Sequence, residues 1–86
     1  MLGSGENVEP VAPDPEALVR LVRARMPFGR YKGMRLVQLP EAYLVWFAQR
    51  GFPKGSLGEM LRSVYELKAN GLGLVLSDLV ARVGDE

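Results

Sequence analysis

Leu18, Leu21 and Val22 stand at i, i+3 and i+4, a single apolar stripe flanked by arginines, and this spacing predicts a helix. Asp14-Pro15-Glu16 marks its start. Asp caps a helix, Pro suits a first position whose N–H has no partner, and Glu favours the positive end of the dipole. Pro27 disfavours helical geometry at Met26, so this helix is expected to end near Arg25. The period then changes. Tyr31 stands against Arg30 and Lys32, then Met34 and Leu36 against Arg35, an alternation of two that suits short strands. Gly29 and Gly33 bracket it, and either accepts a positive φ. The pattern predicts a small β-hairpin, which must pack on helices because two strands alone are marginal.

Leu39-Pro40-Glu41 restarts a helix running to about Arg50. Its residues Tyr43 to Ala48 are apolar nearly all round, as in a helix at the centre of a core or with one face left for a partner. Gly51 to Gly55 is a loop by composition. Ser56-Leu57-Gly58-Glu59 has the spacing of a capping box, and Leu57, Leu61, Val64 and Leu67 continue one helical face. Asn70-Gly71 stops that helix, with Leu72 reaching back to Leu67 in a Schellman closure. Leu72, Leu76, Leu79, Val80 and Val83 fit a further stripe with Ser77 as a late cap, while the nearby glycines favour fraying. The order of residues 72–86 stays open. Residues 1–13, with Gly3-Ser4-Gly5 and two prolines, read as a disordered tail.

The predicted architecture is therefore α+β: a short basic β-hairpin packed against three to four helices, one small domain over residues 14–83. Its expected core is Leu21, Phe28, Leu36, Leu39, Leu44, Phe47, Leu57, Leu61, Val64 and Leu67. With 86 residues there is room for one core, and 48% hydrophobic with 24% charged residues is the composition of a globular chain. Cysteine and histidine are both absent. That removes disulfides, thiolate ligands and thiol nucleophiles, together with imidazole as base or metal ligand. No apolar run approaches the ~18 residues of a membrane span, and Met1 to Val11 holds Glu6 and Glu9 but no basic residue, unlike a secretory leader. The expected location is the cytoplasm.

Charge changes the picture more than composition does. Up to Glu16 the chain carries Glu6, Glu9, Asp14 and Glu16 and no cation. From Ala17 to Pro40 it carries Arg20, Arg23, Arg25, Arg30, Lys32 and Arg35 and no acid. An overall net charge of +1 thus conceals a polarised molecule. One reading is an anion or nucleic-acid site at Arg23, Arg30, Tyr31, Lys32 and Arg35, with guanidinium groups on phosphates and the ring on an unpaired base. The other is an ordinary solvated surface, some of whose arginines pair with carboxylates elsewhere. Gly29-x-x-x-Gly33 lacks the Gly-Lys-Ser/Thr ending of a nucleotide loop, and a tight turn explains it better.

Tyr43, Trp46, Phe47 and Phe52 read mainly as core, with Tyr43, Trp46 and Phe52 as the candidate partner patch if rings are left outside. Glu59 and Glu66 share a helix face but interleave with Arg62 and Lys68, as surface charge does. Glu41 is explained by its helix N-terminus. No carboxylate arrangement resembles a glycosidase or two-metal site. The expectation is a protein that is not an enzyme, with no cofactor, no metal, no small-molecule substrate and no membrane partner.

The ordered set Met26-Pro27-Phe28-Gly29-Arg30-Tyr31-Lys32-Gly33, Leu39-Pro40, Tyr43-Leu44-Val45-Trp46-Phe47, Gly51-Phe52-Pro53-Lys54-Gly55 and Val64-Tyr65-Glu66 resembles a known family. It is similar to small bacterial proteins of unknown function labelled "putative quorum-sensing-regulated virulence factor", over roughly residues 18 to 75. A related signature also occurs as a C-terminal appendage of exodeoxyribonuclease X-like proteins. The resemblance implies regulation by cell density and a role in virulence; it names no reaction and carries over no catalytic residue. Arg30 stands where that family commonly has lysine, which keeps the charge. The expected function is a non-catalytic protein-interaction or regulatory module with a protein partner. The alternative is a nucleic-acid-binding module using the basic segment, to which the nuclease association adds some weight.

Overall fold

The computed structural model describes residues 14–83. The tail expected over residues 1–13 lies outside the described residues. Helix α1 (Pro15–Arg23) begins as its sequence requires, with the Asp14 carboxylate accepting from the Glu16 N–H at 3.0 Å and Pro15 in the first turn. A 3-10 turn (Leu36–Gln38), α2 (Glu41–Arg50), α3 (Ser56–Ala69) and α4 (Gly73–Val83) follow. Helix α2 packs on α3 and α1 on α4, with the 3-10 turn wedged among α1, α3 and α4. Leu36, Leu44, Leu61 and Val64 are wholly buried where these elements meet. Each such side chain contributes about 1.5–3 kcal/mol through removal from water.

The α+β expectation is overturned: among the described residues the fold is all-helical, with no strand or sheet. The segment read as a hairpin is a closed loop held by one antiparallel bridge, Arg25 to Arg35. Met26 pins it from both sides. Its N–H donates to Met34 O (2.8 Å) and its carbonyl accepts from Gly33 N–H (2.7 Å). Beyond Met26, Lys32 N–H turns back to Gly29 O and Met34 N–H to Tyr31 O, so the residues that alternate in sequence form successive turns rather than a ladder. Gly29 (φ 79°) and Gly33 (φ 89°) take the left-handed positions these turns demand.

Other expectations need correction too. Helix α1 stops at Arg23 because Ala24 is already extended and gives its carbonyl to Leu36 N–H (2.9 Å). Phe28 is 48% exposed at the loop tip, and Met26, 1% exposed, takes the interior slot. Leu57 and Leu67 are half-buried at the core's edge, while Val22, Val37 and Leu76 join its interior. The capping box does not form. Gly55 is the cap of α3, Ser56 its first helical residue, and no side chain closes that end. Ser77 lies inside α4, which starts four residues earlier at Gly73. The Schellman closure of α3 does form, with Leu72 N–H to Leu67 O (2.9 Å), Gly71 N–H to Lys68 O (3.1 Å) and Gly71 at φ 83°.

Lys68 ties α3 to the chain entering α2 by donating from Nζ to Leu39 O at 3.1 Å. Burial lowers its pKa from the ordinary 10.5, and the nearby Glu41 carboxylate opposes the shift. Between the folded and unfolded values the unfolded chain holds more protons, so this group makes stability rise with pH through the window just below 10.5. Lys68→Met should flatten that rise, read as a smaller change in urea midpoint between pH 8 and pH 10.5 than in the parent. An unchanged increment would mean Lys68 is as well hydrated folded as unfolded.

Candidate functional site

Helix α2 sorts its residues by face. Leu44 and Phe47 point inward and are buried, whereas Tyr43 and Trp46, three apart, lie on the adjoining outer face. Trp46 is 46% exposed. The loop over 26–34 delivers Tyr31 against Tyr43, ring centroids 4.8 Å apart. From Tyr43 the row runs to Trp46 (6.4 Å, nearly parallel) and Phe47 (5.0 Å, edge-on). Phe47 continues it to Phe52 (6.0 Å), and Phe52 to Tyr65 on α3 (6.1 Å). Six rings from four segments thus form one continuous row. The buried Phe47 is its root in the core, and the other five are partly or largely exposed.

Three guanidinium groups lie over this row. Arg30 sits 5.5 Å from the Tyr31 centroid, Arg50 4.9 Å from Trp46 and Arg62 5.0 Å from Phe52. All are within the ~6 Å reach of a cation–π contact, which holds each planar cation beside a ring. Lys32 is exposed on the same loop as Arg30 and Tyr31, and Lys54 is exposed two residues beyond Phe52.

The two candidate sets from the sequence, the basic segment and the partner patch, are therefore joined at the Tyr31–Tyr43 contact. Arg30, Tyr31, Lys32, Tyr43, Trp46 and Phe52 belong to one surface. Arg23 is exposed on the last turn of α1, a helix that contributes no ring. Arg35 does not fit the sequence expectation of a surface cation. It is 5% exposed, and its Nη1 donates to Val22 O at 3.0 Å, closing the end of α1 from inside. Arg50, Arg62 and Tyr65 were not among the expected site residues. Arg50 was legible, standing four residues after Trp46 on a helix. A broader charge count also pointed there, since Glu41 is the sole acidic residue between Ala17 and Gly58. The Arg62–Phe52 contact spans a loop and a helix start, and no local spacing encodes it.

A second surface feature lies on another flank of α3. A groove of about 650 Å³ separates α1 from α3, with Leu18, Leu21, Met60 and Leu67 along it and Glu59 and Glu66 among its polar lining. Among the described residues no three carboxylates converge as a metal site would require, and no helix is long and apolar enough to cross a membrane.

Comparison with known proteins agrees with the sequence resemblance. The chain is 43% identical over 67 residues to the "Uncharacterized protein YpeB" of Escherichia coli K12, covering 77% of this chain and 93% of that protein. The protein of that name in Escherichia coli O157:H7 matches to the same extent. No solved structure matches. The family model described as "Putative quorum-sensing-regulated virulence factor" matches residues 14–79, nearly the whole described domain, and the chain belongs to that family.

Proposed function

We propose that this domain is a non-catalytic nucleic-acid-binding module whose contact surface is the row of rings with its guanidinium groups. The observation that carries the reading is the repeated pairing of a cation with a partly exposed ring, at Arg30–Tyr31, Arg50–Trp46 and Arg62–Phe52. Cations that track a phosphate backbone beside rings that accept base faces are the two components of nucleic-acid binding surfaces. The groups that meet here are rings and cations, whose chemistry suits binding and orienting a ligand.

A fluorescence-anisotropy titration of labelled oligonucleotides tests this. With about four phosphates neutralised, by Arg30, Lys32, Arg50 and Arg62, affinity should fall about 50-fold between 50 and 200 mM salt. Replacing all four with Ala should abolish most of the binding and of its salt dependence. No saturable binding at 50 mM salt would sink the proposal. A second reading, a protein-interaction module, is favoured by the α1–α3 groove, with its apolar floor and its two carboxylates. Binding to a protein partner that survives raised salt and is lost on changing Met60 or Leu67 would support it instead.

A further inference from the structure

Resting on the nucleic-acid reading, we infer that the ligand is single-stranded and that Trp46, bracketed by Arg50, is the principal base-stacking position. In a duplex each base face is covered by its neighbours, and a protein meets only base edges and phosphates. A surface built to read duplex therefore presents long hydrogen-bonding side chains to a groove. This one lays its long cations against ring faces. Tyr31, Tyr43, Trp46, Phe52 and Tyr65 each keep part of their surface in water, and Trp46 keeps the most, 46%. Ring faces have no use for a paired base but stack readily on an unpaired one.

Spacing points the same way. Neighbouring rings with exposed surface stand 4.8 to 6.4 Å apart, at Tyr31–Tyr43, Tyr43–Trp46 and Phe52–Tyr65. The repeat along one duplex strand is about 3.4 Å, too short to match these steps. A single strand can splay its bases to meet them without breaking base pairs. The length is set by the same row. Three ring–cation pairs, at Tyr31, Trp46 and Phe52, suit a short run of about four or more nucleotides, the low end for a small single-strand module. Arg50 lies over Trp46 at 4.9 Å and is held there by its place on the following turn of α2. Its planar group packs against the ring and holds it in place, while its charge is positioned to reach the backbone of a strand stacked there.

Trp46 is the chain's single tryptophan, so its emission reports on the site directly. The full chain would be titrated with dT8, rU8 and a 12-base-pair DNA duplex at 50 mM salt. Both unpaired octamers should quench Trp46 and bind at least tenfold more tightly than the duplex. Their relative affinities tell which sugar is preferred. Trp46→Leu, followed by anisotropy of labelled octamer, should weaken single-strand binding about 5- to 100-fold with little change in salt dependence. Arg50→Ala, an exposed change that leaves Trp46 in place, should weaken binding and also reduce the salt dependence by close to one phosphate's share. Duplex bound as tightly as the octamers, or octamer binding indifferent to Trp46→Leu, overturns the inference and leaves the nucleic-acid reading standing. Failure of all three ligands to bind overturns both.

Discussion

Gly58→Ala should lower the thermal midpoint of this domain by roughly 12–24 °C. Gly58 is buried on α3, and a Cβ built there falls on the carbonyl oxygen of Pro53 and 2.7 Å from its carbonyl carbon. The obstacle is backbone, so no side chain can rotate to make room. Either α3 moves off the 51–55 loop or the loop is displaced, and overpacking of this kind costs about 3 kcal/mol. For a domain of this size one kcal/mol corresponds to about 4–8 °C. The loop is also what seats Phe52 between Phe47 and Tyr65. The substitution should therefore disturb the row of rings as well as the melt. Gly73→Ala is the matched control. It lies at the start of α4 with open space where the Cβ would go, and should be neutral or slightly stabilising through the lower entropy of Ala in a helix. The measurement is thermal unfolding followed at a helical circular-dichroism wavelength. Equal midpoints for the two variants would remove the close approach of α3 to Pro53.

The helices could be read from the chain because their signals are local. Asp14-Pro15, Pro40-Glu41 and Asn70-Gly71 act within a turn of themselves, and α2 and α3 begin and end where these and the 51–55 loop put them. The expected hairpin failed for a reason the alternation of residues does not contain. Whether residues 25–36 become two strands or a loop depends on where their backbone groups find partners, and Met26 takes both of its bonds at the base of the turn. Sequence period reports which side chains differ in polarity, not whether a second ladder bond is available. The site was legible in halves. Tyr31 with Arg30 and Lys32, and Tyr43 with Trp46, are visible as clusters. Their union at 4.8 Å needed the loop's path across α2. Capping by Gly55 in place of Ser56 shows the same limit at small scale, since one residue of register decides whether a hydroxyl can reach the N–H groups it is spaced for.

Arg35→Ala should cost about 3 kcal/mol, while Arg30→Ala and Lys32→Ala should each stay within about 0.5 kcal/mol, although all three residues lie in one basic run. Arg35 is interior, and its donation to Val22 O at 3.0 Å satisfies a carbonyl at the end of α1 that has no helical partner. The same residue forms the one bridge to Arg25, and Leu36 beside it donates to Ala24 O. Truncation would remove a charge-assisted bond, leave a buried carbonyl unsatisfied and open a cavity beneath the loop, effects that act in the same direction. Arg30, by contrast, is exposed and touches Tyr31 through a surface cation–π contact. Urea unfolding separates them. A drop in midpoint of roughly 2 M for Arg35→Ala is expected from a slope near the low end for small proteins, with Arg30→Ala and Lys32→Ala close to the parent. Octamer binding at a temperature where every variant is folded should show the reverse order, with Arg35→Ala near the parent and the two surface changes weakened. If Arg35→Ala melted like the parent but lost binding, Arg35 would be a ligand-contacting cation after all, and the buried end of α1 would have to be held by something else.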